Sequence, residues 1–280
     1  MTYSIVARDG VTGEIGVAVA SHAFAVGRDV AFARAGVGAV ATQGTPDPGH
    51  AERLLDALEA GATAAQALHA LVADDSARRI RQTALIGSRA APAAHTGSFC
   101  VPFASHAVAG DHSCQGNLLT SDGAWDAMAE AYRTATGSFE ERLIGALEAG
   151  LRHGGDLRGQ QAAAVLIVGP RPGTRPRIDF RVDDHPTPTA ELRRLIAMDR
   201  ADRRLRDALG VVLGAPGDPR DTLESLARAQ EVFGSANREP DFWAAVIVER
   251  LDELDRFPPD PRWRELRARL SRLRSPRTRP

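Results

Sequence analysis

Thr2-Tyr3-Ser4-Ile5-Val6-Ala7-Arg8, then Asp9-Gly10-Val11-Thr12-Gly13, then Glu14-Ile15-Gly16-Val17-Ala18-Val19-Ala20-Ser21: the opening of the chain decides its fold. Two β-rich runs flank a segment of turn formers, so the stretch reads as a hairpin. The second run is almost wholly apolar, and so is 37–42. A strand with that pattern is covered on both faces. Working outward, strands are expected at Val30–Arg34 and Val37–Gln43, and helices at His50–Ala60 and from the Thr63 cap to Ala73. Strands resume at Arg81–Gly87, Ala93–Thr96, Ser105–Ala109 and His112–Gln115. Helices follow at Ser121–Thr134 and Ser138–His153, then strands at Gln161–Val168 and Arg177–Val182. Consecutive strands with helices in pairs point to antiparallel sheets covered by helical layers. The predicted class is therefore α+β, a four-layer α/β/β/α sandwich.

Composition shifts at His185-Pro186-Thr187-Pro188, beyond which strand signals vanish. Helices are expected at Glu191–Leu213, Thr222–Phe233, Pro240–Phe257 and Arg262–Leu273, with no clear 34-residue self-match. The expected domains are a sandwich over 1–188, a helical extension over 189–275 and a disordered tail over 276–280. The chain has 280 residues and a net charge of −1, which gives no basic field for nucleic acid. No apolar run is long enough to span a membrane, and the N-terminus lacks the pattern of a signal peptide. Cys100 and Cys114 make neither a disulfide framework nor a zinc spacing and read as small buried apolar residues, so a cytoplasmic location is expected. All 35 basic residues are arginine. Schiff-base chemistry, a P-loop lysine and a lysine general base are thereby excluded.

Seven segments, in order, carry a family resemblance: MTYSIVARD (1–9), GEIGVAVASHAFAVG (13–27), AGVGAVATQG (35–44), AHTG (94–97), QGN (115–117), HGGDLRGQQAAA (153–164) and RVDDHP (181–186). Over about residues 1–195 the chain resembles the bacterial DUF1028 family, of unknown function and assigned to the Ntn-hydrolase-like superfamily. The helical remainder resembles the tetratricopeptide-like extensions of some members. The resemblance implies the same αββα sandwich. It also implies an N-terminal Thr, Ser or Cys whose side chain attacks a carbonyl while its own α-amine takes the proton. A small residue after Met1 permits removal of the initiator, which would make Thr2 that residue. Thr2 reads equally as a β-branched strand residue, and Ser4 is the fallback nucleophile.

Further candidates cluster at strand ends. Ser21 could bond the Thr2 amine, and His22 is either an acid/base or a surface histidine. Neighbours in a strand face opposite ways, so these two do not form a dyad. Gln43 ends another run. Gln115 and Asn117 in QGN suit amide recognition or an oxyanion hole, although an Asn holding its own turn is common. In Gly154–Gln161, Asp156, Arg158 and Gln161 would bind substrate, or Asp156–Arg158 is a structural ion pair. Proteasome-type members depress the amine pKa with a lysine. Here Arg34, Arg158 or Arg28 would have to serve, which favours amidase analogies over peptidase chemistry. Ala162 stands where members often carry Ser; packing is the expected role, and a catalytic role for that Ser would leave this copy impaired. Asp183-Asp184-His185 cannot all converge on a metal from an extended strand; Asp183 or Asp184 is expected to pair with an arginine or cap the next helix. No metal or cofactor is expected. The function read is an amidohydrolase acting on a small linear or cyclic amide, with a homodimer expected. The rival reading is an inactive scaffold that binds a ligand or assembles, the C-terminal helices docking a protein partner.

Overall fold

The computed structural model describes residues 2–248 and 261–274. Strands β1 (Thr2–Arg8) and β2 (Ile15–Ser21) form the expected hairpin. Its turn is tied by the Asp9 carboxylate, which accepts from Val11 N, Thr12 N and Thr12 Oγ1, and by Gly13 at φ 72°. A short helix α1 (Val26–Val30) leads into β3 (Ala31–Arg34) and β4 (Gly38–Gly44). Helices α2 (Pro48–Glu59) and α3 (Ala64–Asp74) follow, the second opened by a Thr63–Gln66 capping box. Strands β5 (Arg81–Gly87), β6 (Ala93–Thr96), β7 (Ser105–Val108) and β8 (His112–Asn117) precede helices α4 (Ala124–Thr134) and α5 (Phe139–Arg152). Strands β9 (Ala162–Val168) and β10 (Ile178–Val182) complete the β set.

The strands form two antiparallel sheets. One runs β10-β9-β2-β1-β8-β7 and the other β3-β4-β5-β6. They pack face to face, with β1 and β2 over β4. Helices α4 and α5 cover the outside of the six-stranded sheet, and α2 and α3 cover the four-stranded one. This is the α/β/β/α sandwich. Its inner core is Val6, Ile15, Val17, Val19, Ala39, Ala41, Ala84 and Ile86, all fully buried. A second core, with Val40, Leu54, Leu55, Leu68, Leu71 and Leu85, lies beneath α2 and α3.

Beyond the sandwich come α6 (Pro188–Val212), α7 (Pro219–Phe233), α8 (Glu239–Ile247) and α9 (Pro261–Arg274). The chain divides into two compact units, Met1–Arg194 and Leu195–Pro280. The second has its own core of Leu205, Leu226, Phe242, Trp243 and Val246, with Trp263 stacked on Phe242 at 4.9 Å. Among the described residues no helix is long and apolar enough to cross a membrane.

Four expectations need correction. Helix α1 was not anticipated, because five residues carry no helical period. It exists because the backbone can approach β9 closely: a Cβ on Gly27 would lie 2.4 Å from Ala164 Cβ. Strand β8 runs on through Asn117, so QGN is buried strand and not a following turn. Helix α4 starts at Ala124, since Ser121 Oγ bonds His153 O and Gly123 takes φ 81°. Cys100 is half-buried and bonds Arg81 O, whereas Cys114 is fully enclosed. The part of the Pro240–Phe257 expectation at 249–257 and the 276–280 tail lie outside the described residues.

Candidate active site

Pairing register brings the strand ends into one row. Thr2 pairs with Asn117 on one side and Ser21 on the other, and Ser21 pairs with Ala162. These four positions face inward, in line with Val6, Val17 and Val19 two and four residues along. Opposite them on the second sheet stand Gln43 and Gln82, themselves cross-strand partners. The apolar core of the sandwich therefore gives way, at the Thr2 end, to hydroxyls and amides.

The side chains are enclosed and bonded to one another. Thr2, Ser21, Asn117 and Gln43 are each at most 3% exposed, and Gln82 is fully buried. The Thr2 hydroxyl donates to Ser21 Oγ at 3.2 Å. Gln43 Nε2 donates to Thr2 O at 3.2 Å and to Gln82 Oε1 at 2.7 Å. Asn117 Nδ2 donates to the same Gln82 oxygen at 2.9 Å. Ser4 donates to Gln43 Oε1 (2.7 Å) and accepts from Gln115 Nε2 (2.6 Å). The fallback nucleophile is thus engaged in both roles inside the sandwich, and Gln115 supports Ser4 instead of lining the Thr2 end.

A second group stands beside the row. Asp156 is buried and accepts from His22 N (3.0 Å), Arg158 N (2.9 Å) and the Arg158 guanidinium (2.9 and 3.1 Å). Burial pushes its carboxyl upward. The bonds from the Arg158 side chain and the His22 and Arg158 amides outweigh burial and hold it below the ordinary value. Asp156 therefore fastens the end of β2 to the 155–159 loop, as a structural ion pair does. Arg28 pairs with Asp29 at the surface, and Arg34 holds Glu52, Asp56 and Glu59 at the far end of β3, so neither is placed to act on the Thr2 amine. His22 Nδ1 is buried without a partner.

Gln161 contributes its backbone, N–H to Ser21 O and O to His185 N, while its side chain turns away to Asp184 at 3.2 Å. Of the two aspartates expected to meet an arginine, Asp184 thus takes Gln161, while Asp183 lies in the field of Arg28 and helps raise its pKa, after the larger effect of Asp29. It is His185 Nδ1, not an aspartate, that accepts Thr187 N ahead of α6. Ala162 packs in the inner core. Among the described residues no three His, Cys, Asp or Glu side chains converge as metal ligands would.

Sequence reasoning missed Gln82, Thr96 and His106. Gln82 Nε2 shares its two hydrogens among three acceptors, Thr96 Oγ1 (2.9 Å), Gly116 O (2.8 Å) and Ser105 O (3.0 Å), and Thr96 Oγ1 lies 2.8 Å from His106 Nδ1. The signal was present: in Arg81–Gly87, Gln82 shares the inward face with Ala84 and Ile86, and a polar residue on such a face demands partners.

Residues 2–192 match DUF1028, a family of unknown function. The chain belongs to the DUF1028 family. A crystal structure of a DUF1028 protein from Silicibacter pomeroyi is similar, with 31% identity, TM-score 0.65, and 70% of this chain and 84% of that one covered. Anbu, the ancestral beta-subunit from Yersinia bercovieri, overlaps at 12% identity and TM-score 0.34, covering 78% of this chain and 99% of the other. No curated protein matches. The DUF1028 match spans the whole sandwich, so every residue of the Thr2 row lies within it.

Proposed function

We propose that this DUF1028 protein is an N-terminal-nucleophile amidohydrolase that cleaves a small linear or cyclic amide through Thr2. The observation that carries the reading is the Thr2 hydroxyl, held at the end of a central strand and bonded to Ser21 Oγ, with Gln43 and Asn117 amides at the same end. The superfamily implied by the sequence motifs supports it. Met1 must be removed, because only then is the Thr2 nitrogen a primary amine, with an ordinary pKa near 8.

In this mechanism Thr2 Oγ1 attacks the amide carbon while the Thr2 amine takes the hydroxyl proton. An Asn117 N–H stabilises the oxyanion. The amine passes its proton to the leaving nitrogen, the C–N bond breaks, and an ester to Thr2 remains. Water, deprotonated by the same amine, hydrolyses the ester and restores the hydroxyl. Ser21 orients the Thr2 side chain. Arg158, Asp156 and His22 shape the substrate's approach.

Intact mass and covalent labelling test the reading. Protein lacking Met1 should be labelled once by a β-lactone probe, and Thr2→Ala should abolish labelling with the fold unchanged. A retained Met1, or undiminished labelling of the variant, would reject it. One observation favours a second reading: the amides at this end are largely spent on one another, as in a built core. A ligand-binding or assembly scaffold fits that, with the helical unit acting as a tetratricopeptide-like dock for a protein partner, and it expects no labelling. Two free thiols suit a reducing cytoplasm, and a homodimer is the assembly to look for by ultracentrifugation.

A further inference from the structure

A run of hydrogen bonds with a single direction crosses from one sheet to the other. Ser113 donates to Gln115, Gln115 to Ser4, Ser4 to Gln43, and Gln43 to Gln82. Gln82 donates to Thr96, whose hydroxyl proton is then free for His106 Nδ1. The amide of Gln82 cannot turn over within this run. Its nitrogen faces two backbone carbonyls, Gly116 O and Ser105 O, besides Thr96, and its oxygen takes both the Gln43 and the Asn117 amides. Reversal would set oxygen against two carbonyls and nitrogen against two N–H donors. None of its partners is charged.

We propose that Gln82 is the positioning residue of the Thr2 end, its oxygen fixing which way the Asn117 and Gln43 amides point. The claim about labelling rests on Thr2 being the reacting residue; the claim about amide orientation does not. With Gln82 oxygen occupied by one Asn117 N–H, the nitrogen of Asn117 is held toward the sandwich interior beside its cross-strand partner Thr2. Gln43 is held so that its nitrogen, not its oxygen, meets Thr2 O. Through these two amides Gln82 decides whether donors or acceptors face the reacting group.

Gln82→Glu separates this role from bulk packing. The protonated form of the introduced carboxyl reproduces the amide, with one oxygen for Gln43 and Asn117 and one donor for the carbonyls, whereas the ionised form sets an oxygen against Gly116 O and Ser105 O and is repelled from the position that fixes the Gln43 and Asn117 amides. Burial and the carbonyls therefore raise its pKa. In wild-type protein, β-lactone labelling should rise with pH as the Thr2 amine deprotonates. In Q82E, labelling should pass through a maximum and fall at least tenfold at higher pH, where circular dichroism still reports a folded protein. A purely structural residue would lower the rate without reshaping the profile, and a wild-type profile in folded Q82E overturns the proposal. The side-chain amide signals of Gln43 and Asn117 decide the matter even if wild-type protein is never labelled. In a Thr2→Ala background both should shift with pH in Q82E and stay fixed with Gln82 in place; two unmoved signals overturn it. Should Q82E fail to fold, the near-isosteric Thr96→Val removes one acceptor of Gln82, and shifts confined to β6 would have the same adverse meaning.

Discussion

Two side chains give the clearest tests at the level of single residues. The Asp156 carboxyl is held below its ordinary value, so its ionised form favours the folded state. That stability is present above the unfolded pKa, about 3.9, and is lost as pH falls through the lowered folded value. Asp156→Asn keeps the shape but loses the charged bonds, and should cost about 1.5–3 kcal/mol at pH 7. Melting curves from pH 7 down to 3 should fall for wild type in the acid range and fall less for the variant. His106 has the opposite chemistry but the same direction of loss. Burial, and then the neighbouring His95, lower its pKa, and the neutral ring is the form that accepts from Thr96. The unfolded state therefore binds the proton more readily, and stability should decline as pH drops below about 6.5 toward the folded pKa. His106→Gln, which can still accept that bond, should flatten the slope between pH 7.5 and 5 in urea titrations. At this scale Thr2, Ser21, Gln43 and Asn117 were legible because polar residues at the ends of apolar runs stand out. His106 was not, since nothing near Ser105–Ala109 announces that a threonine on another strand will meet it.

Elements were legible wherever a period or a cap repeats. The capping boxes at Thr63 and Ser138 locate α3 and α5, and the continuous apolar runs locate β2 and β4. What escaped is the element that depends on a tertiary approach. Helix α1 follows Ala25 at φ 51°, and its Gly27 packs where no Cβ fits against β9. Gly27→Ala must push that helix off the strand. Overpacking of this kind should cost about 1–3 kcal/mol, and calorimetry should show a lower Tm. The end of β8 escaped for a related reason: Gly116 and Asn117 read as turn formers, yet Gly116 is paired with both β1 and β7 and Asn117 with Thr2 of β1, which keeps them in strand.

For the molecule as a whole, the layer order followed from the grouping of strands and paired helices, because each sheet face left by those runs needs a cover. Pairing across the sheets was not legible, since strand order depends on contacts far apart in sequence; β1 lies between β2 and β8, and β9 returns to β2. The sandwich contains both of its cores within residues up to Arg194. A fragment ending at Arg194 should accordingly melt in one cooperative step by circular dichroism. The place of β1 also has a practical bearing. Neighbours flank it on either side, so its first residue is held between Ser21 and Asn117. A purification tag ahead of Thr2 would mask the amine that the proposed mechanism requires and give a false negative in the labelling test, whereas a tag after Pro280 leaves it free. Parallel preparations with the tag at opposite termini would expose that artefact at once.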